Sequence, residues 1–383
     1  MHIVSVSRID GYDVRIIRSS IERMLKEMDY KIPRNQSVLI KPNLMAQNRP
    51  NQHTTTNHVF LEALLAILSD SRCKISIGDS IAFFQNGLTR KAFSVTKIED
   101  VARKYGAKLV PFEEEKLKKI DLSGYPFLAD FPVKEIYVPA IIFEVDTFIN
   151  ACKLKSHGNG FRLSGALKNL YGIIPGGFKQ KIHIMCKDDM ATCDLIVSLH
   201  QITRPSLHIM DAIIGLDGGP SAFGKPVKVG AIIASENGAA LDTVASGIIG
   251  YEPEEVPLLV RAKALGLISY FSDTVVKGEP PKVSFKKLFR GPFSGKRKKD
   301  NVFITDTFVY PVVIGQNCDN CGECVSFCPK SAIKRSLEGD YSIDYNVCIF
   351  CYYCLTGCTR KAIGFKSTMK NKVIRFLWKT LRL

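Results

Sequence analysis

Over about the first 270 residues, short apolar runs alternate with longer stretches in which apolar residues recur at helical spacing. The two-residue period and β-branched content predict strands at 3–7, 38–40, 74–77, 108–110, 147–149, 207–210 and 229–234. Between them a 3.6-residue period predicts helices at 14–28, 58–68, 98–105, 163–171, 188–199, 239–250 and 256–265. Regular alternation of this kind implies an α/β domain over residues 1–275, with a mostly parallel sheet flanked by helices. The stretch VKGEPPKVSFKKLFRGPFSGKRKKDN then breaks every period, and 276–305 reads as a basic linker rich in Pro and Gly.

Beyond the linker, cysteines stand at 318, 321, 324 and 328 and again at 348, 351, 354 and 358, each 30 residues after its counterpart. Ala332 and Ile333 repeat as Ala362 and Ile363 at the same offset, so the segment is an internal duplication. Three cysteines spaced by two residues wrap one cubane, and the fourth, three residues further on, reaches the other cluster. One 4Fe-4S cluster is therefore expected on Cys318, Cys321, Cys324 and Cys358. The second is expected on Cys348, Cys351, Cys354 and Cys328. Zinc is disfavoured, because its sites pair separated Cys-x-x-Cys knuckles. Residues 306–366 form the expected small α+β two-cluster domain, which resembles the bacterial ferredoxin domain. Thr359 replaces the proline that follows the fourth cysteine in the first half, Pro329.

Charge changes this picture only locally. The chain of 383 residues carries a formal +16, yet from Lys282 onward there are 19 Lys and Arg against 7 Asp and Glu. Eight thiolates with two oxidised cubanes bring about four negative charges, which offset part of that surplus. Nucleic acid is not expected as a partner, since neither a basic recognition helix nor an aromatic stacking motif accompanies the charge. In the tail 367–383, Val373, Ile374, Leu377, Trp378 and Leu381 share one helical side and basic residues the other, which suits either a helix docked on the protein's own core or peripheral contact with anionic membrane at the inner face. No apolar run is long enough to span a bilayer and the N-terminus lacks a leader pattern, so a cytoplasmic location is expected. Twelve cysteines in that reducing compartment read as ligands and core residues; Cys73, Cys152, Cys186 and Cys193 have no ligand spacing and read as core.

Ligands of open α/β sheets sit beyond the carboxyl ends of strands. After the predicted strands come Lys41 and Asn43, then Asp79 and Ser80, then ACKLKSHGNG, then Asp211. If ACKLKSH stays extended, Lys153, Lys155 and His157 share a side. Gly158 and Gly160 are expected to lead into a helix on which Ser164 and Lys168 share a face beside Asn169. Together these residues make a candidate anion site: Lys41, Asn43, Ser80, Lys153, Ser164, Lys168 and Asn169 to bind, His157 or Lys155 to supply a proton, Asp79 and Asp211 to orient them. Two phosphate-loop patterns fail. GPSAFGK at 219–225 has Pro226 in place of the magnesium-binding hydroxyl, and the glycines at 158, 160 and 165 are misspaced, so no Rossmann-type NAD site is expected; the sequence is silent on flavin.

The ordered segments KPN (41–43), GDS (78–80), INACKLKSH (149–157), SGALKNLYGIIPG (164–176) and MDAIIGLDGGP (210–220) resemble the family called domain of unknown function 362. The resemblance covers about residues 1–270, and it implies an iron-sulfur protein of the kind that often carries a C-terminal two-cluster module. It implies no reaction. The expected function is an iron-sulfur oxidoreductase that passes single electrons from a redox partner protein to an anionic small molecule in the α/β domain. The alternative is an electron-transfer or assembly protein whose large domain docks a partner without catalysis of its own.

Overall fold

The computed structural model describes residues 1–81, 89–157, 161–186, 189–218, 224–286, 309–328, 330–348, 354, 355, 358, 360–367 and 369. The large domain contains strands β1 (His2–Arg8), β2 (Ser37–Pro42), β3 (Lys74–Asp79), β4 (Lys108–Pro111), β5 (Leu117–Asp121), β6 (Glu135–Pro139), β7 (Thr147–His157), β8 (Arg162–Ser164), β9 (Leu207–Asp217), β10 (Lys225–Ser235) and β11 (Thr274–Lys277). Nine of these form one sheet in the order β11-β1-β10-β9-β7-β2-β3-β4, with β8 folded back on β7; β5 and β6 pair separately. The run β9-β7-β2-β3-β4 is parallel throughout, as expected of crossover connections. β10 is antiparallel to both β9 and β1, so the sheet is mixed at its other end.

Helices cover both faces. On one side lie α1 (Val14–Glu27), α2 (His58–Asp70), α3 (Thr89–Val95) and α4 (Ile98–Lys104), packed on Val38, Ile40, Ile149 and Ala151. α1 shows why such a segment is helical. Asp13 caps the amides of Arg15 and Ile16 at 2.9 and 3.1 Å, and Ile17, Ile21, Met24 and Leu25 recur at three- and four-residue spacing to form the buried stripe. After the one-turn α5 (Ile141–Glu144), the other face receives α6 (Ala166–Asn169), α7 (Phe178–Met185), α8 (Asp189–Thr203), α9 (Gly238–Ile248) and α10 (Pro257–Ala264), packed on Phe148, Cys152 and Leu154. Residues 148–154 thus send alternate side chains to the two cores, the signature of a strand buried on both faces. Among the described residues no helix is long and apolar enough to cross a membrane.

Three differences from the sequence expectation bear on the site. First, β7 runs eleven residues rather than three, because Lys153 and Lys155 are buried in the sheet instead of ending it. Second, no helix starts at Leu163: β8 turns back so that Ser164 faces Lys155 in register, and α6 begins only after Gly165. Ser164 therefore lies on a strand and not on a helical face with Lys168. The cause is remote in sequence, since the Asp242 carboxylate takes the amides of Ala166 and Leu167 at 2.6 and 3.0 Å and fixes the helix start. Third, the linker is docked at its beginning. Val276 and Lys277 belong to β11, Val283 bonds Ile248 at 2.8 Å, and Phe285 is buried in the core. Residues 287–305 and 370–383, with most of the linker and the amphipathic tail, lie outside the described residues.

In the C-terminal module β12 (Val309–Val313) pairs antiparallel with β15 (Ile363–Ser367), and β13 (Ile333–Arg335) with β14 (Tyr341–Ile343).

A Cβ at Gly165 would stand 2.0 Å from Asp242 Oδ1. Gly165→Ala must expel that carboxylate and strand two buried amides, so it should destabilise the protein by about 2–4 kcal/mol, measured by denaturant unfolding. Gly11→Ala, with nothing near its Cβ, is the control.

Candidate functional site

The cysteine module brings one expected quartet within electrostatic reach. Cys324 is buried, and its thiol is pushed up first by burial and then by the negative potential of Cys318, Cys358 and Cys321. Those four are the quartet expected of crossed ligation. The two fourth cysteines sit in equivalent turns: the amides of Ala332 and Ala362 donate to the sulfurs of Cys328 and Cys358, each at 3.2 Å. Amide donors aimed at sulfur stabilise thiolate and tune a cluster's potential. Cys328, Cys354 and Cys358 pack with Cys324 around Ile333 and Ile363. Cys351 lies outside the described residues, and among the described residues no three Cys, His, Asp or Glu side chains converge as ligands of a single ion would.

In the α/β domain the strand-end residues converge. Lys41, at the end of β2, pairs with Asp79, at the end of β3, at 2.7 Å, and both are buried. Asp79 also accepts from the amides of Leu44 and Ser80 at 2.8 Å. Burial pushes the Lys41 amine down and the Asp79 carboxyl up, and each group's charge acts back on the other. Lys153 on β7 pairs with Asp211 on β9 at 2.9 Å, and Asp211 accepts also from Tyr12 Oη at 2.9 Å and the Asn57 amide at 3.0 Å.

Lys155 is different. It is 1% exposed, and among the described residues its amine donates to neutral oxygens, Asn43 Oδ1 at 2.7 Å and the Thr54 carbonyl at 2.9 Å. Burial, with help from Lys168, Lys153 and Lys41, brings it down to about 7. Lys168 is half-buried, its ammonium 4.7 Å from the Phe161 ring centroid, and burial lowers it to about 8. His157 ends the same strand, packed edge-on against Phe161 at 5.4 Å.

From Lys155 a line of hydrogen bonds runs through the domain. Asn43 Nδ2 donates to Asn169 Oδ1 at 2.9 Å, Asn169 Nδ2 to Asn150 Oδ1 at 2.7 Å, and Asn150 Nδ2 to His208 Nδ1 at 2.9 Å. His208 and His200 then meet through their Nε2 atoms at 3.0 Å. Because Asn150 donates to Nδ1, the neutral His208 carries its proton on Nε2 and donates to His200. Burial lowers both imidazoles, His200 to about 4.

The structure thus brings together Lys41, Asn43, Asp79, Ser80, Lys153, Lys155, Lys168, Asn169 and Asp211; Ser164 joins them from β8, and His157 is the last residue of β7. Sequence reasoning missed Tyr12, Asn150, Lys179 and Asp242. Lys179 donates to the carbonyls of Ser80 and Ile81 at 2.9 and 3.0 Å, and burial lowers it to about 8. Applying the strand-end rule to β1 would have reached Tyr12; nothing local marks Asp242.

An amine lowered by burial costs stability below the unfolded chain's pKa, by an amount that grows as pH falls through a window to the folded value and is largest below it. For Lys155 that window runs from about 7 up to the free-lysine value of about 10.4. Its contribution is full above the window and lost as pH falls through it. Lys155→Met should therefore stabilise the protein relative to wild type by an amount that grows as pH drops from about 10 to about 7, at roughly 1.4 kcal/mol per unit. Paired denaturant titrations at several pH values check this; a pH-independent difference would mean that the amine is not perturbed.

Two family models match separate parts of the chain. Residues 38–247 match the family model Domain of unknown function (DUF362), and residues 304–363 match a 4Fe-4S dicluster domain. The Thylakoid-associated protein sll1697 of Synechocystis sp. is 27% identical over 269 residues, 69% of this chain and 79% of its own. Pyruvate synthase subunit PorD of Methanocaldococcus jannaschii is 36% identical over 53 residues, 14% of this chain and 62% of its own. The lactate racemase apoprotein from Thermoanaerobacterium thermosaccharolyticum superposes with a TM-score of 0.38 at 14% identity, covering 63% of this chain and 55% of that one, so the chain spans little more than half of that structure. With its family match covering more than half of its length, the chain belongs to the DUF362 family and carries a C-terminal 4Fe-4S dicluster domain, which makes it an iron-sulfur protein of the electron-transfer kind.

Proposed function

We propose that the protein is an iron-sulfur oxidoreductase in which two 4Fe-4S clusters pass single electrons to a small anion held in the α/β domain. The observation that carries this reading is the surplus of amines at the strand ends. Lys41 and Lys153 each have a carboxylate, whereas Lys155 is held by an amide and a carbonyl oxygen, and Lys168 by aromatic faces. Burying a cation without a counter-charge is unfavourable. A carboxylate or phosphate would relieve that cost.

The chain's own residues have distinct work in this reading. Asn43 and Thr54 aim the Lys155 amine, and a value near 7 lets it hold or release a proton close to neutral pH. His157, at the end of the same strand, is the second proton carrier, while Asp79 and Asp211 keep Lys41 and Lys153 in place. Bound clusters supply electrons one at a time, usually at low potential. A redox partner protein would load them. The neutralisation of Lys41 and Lys153 inside the fold favours a second reading, in which the large domain is a docking platform and the module only carries electrons.

Protein prepared without oxygen should hold about eight iron and eight labile sulfide per chain, the content of two cubanes. Cys328→Ser should remove the same paramagnetic signal as Cys348→Ser and spare the one lost in Cys318→Ser; the opposite assignment would show that the ligation is not crossed. Titration with inorganic phosphate and with small carboxylates should give saturable heat that falls at least tenfold in Lys155→Met, since a charged contact contributes about 1.5–3 kcal/mol. Identical binding in both proteins, or none in either, would leave the docking reading.

A further inference from the structure

The two halves of the cysteine module are built alike but used differently. Cys328 and Cys358 are each followed by the same turn: Ser331 and Lys361 take φ of +51° and +54°, and their amides bond the carbonyls of Cys328 and Cys358 at 3.1 and 3.0 Å. Two places after each cysteine stands a base, Lys330 or Arg360. Arg360 turns into the module and holds Asp319, beside Cys318, at 2.6 Å. Lys330 turns out of it and pairs with Glu135, the first residue of β6 in the large domain, with its ammonium 5.9 Å from the Tyr137 ring centroid.

Glu135 is a prepared acceptor. It receives Tyr137 Oη at 2.9 Å and Lys119 at 3.2 Å, and Tyr137 is itself buried in the large domain's core. The Lys330 side chain is 31% exposed, whereas that of Arg360 is 64% exposed. Lys330 is therefore partly covered where it meets the α/β domain, whereas Arg360 is left towards solvent.

We propose that the turn 328–332 is the port by which the module meets the α/β domain, so that the cluster completed by Cys328 exchanges electrons with that domain and the cluster completed by Cys358 faces the external donor. This rests on the reading that electrons reach the α/β domain at all. Each step moves one electron from a reduced cluster to an oxidised one, with no bond made or broken and no proton transferred. The donor is a one-electron redox protein that docks on the Cys358 side.

Two readouts on anaerobically prepared full-length protein test the port. Reversing the charge with Glu135→Lys should raise deuterium uptake across residues 135–139 and 328–334. In a potentiometric EPR titration it should shift upward the midpoint of only the signal that Cys328→Ser abolishes, because a positive charge replaces a negative one at the partner of Lys330, two residues after Cys328. Combining Glu135→Lys with Lys330→Glu should restore the pairing and return the uptake towards wild type. Glu135→Gln, which keeps the size and removes the charge, should give a smaller shift of the same sign. A shift of the Cys358-dependent signal, equal shifts of both, or no shift in either Glu135 variant would overturn the assignment. Failure of the oxidoreductase reading looks different, since phosphate and carboxylate binding would then be absent while the Glu135 results stand.

Discussion

Amines taken out of water at the ends of β2 and β7 are the constraint on which the large domain depends. A buried ion costs several kcal/mol unless it is paired and its remaining hydrogen-bonding capacity is used. Lys41 and Lys153 meet that condition only because loops from elsewhere come to them: Leu44 and Ser80 complete Asp79, while Asn57 and Tyr12 complete Asp211. Backbone must give way too. A side chain at position 172 would place its Cβ 2.6 Å from both Lys41 Nζ and Asp79 Oδ1, so only glycine fits there. The pairs thereby join strand ends, connecting loops and the turn after α6 into one unit, in which loosening any part exposes a charge to an apolar surrounding.

The amide line from Lys155 to His200 extends that unit across the sheet. Amides can point either way, but here each direction is pinned. Lysine can only donate to Asn43, while the Pro42 carbonyl accepts from Asn169 at 3.3 Å and the Ala166 carbonyl from Asn150 at 2.8 Å. A polar network with every member satisfied is tolerated in a core and specifies a single arrangement; one with a gap would be costlier than apolar packing. The Asp242 cap has the same character, for burial raises its carboxyl to about 7 while two amides favour its ionised form.

What could be read from the sequence divides along physical lines. The presence of a dicluster module was legible because its repeated cysteine spacing is covalent and local. The strand ends were legible because apolar runs mark strands and polar residues follow them. The length of β7 was not, since a lysine in sequence reads as an end of burial, and only a carboxylate 58 residues away on β9 makes Lys153 an interior residue. The helix expected at 163 failed for a related reason: Leu163, Ala166, Leu167 and Leu170 have a helical period, yet Asp242 decides where the helix starts. Local pattern identifies elements, whereas contacts across the sheet set their boundaries.

The place of β1 has a consequence for how the chain is made. Residues 2–8 find their partners only in β10 and β11, more than 200 residues later. Closing so long a loop is slow, and the parallel strands β2, β3 and β7 can assemble before it. Residues 2–8 are thus among the last strands to be paired, and until residue 277 is synthesised they present an open strand edge, the kind of surface that invites pairing with other chains. The cysteine module emerges after that point, when the surface that receives Lys330 already exists.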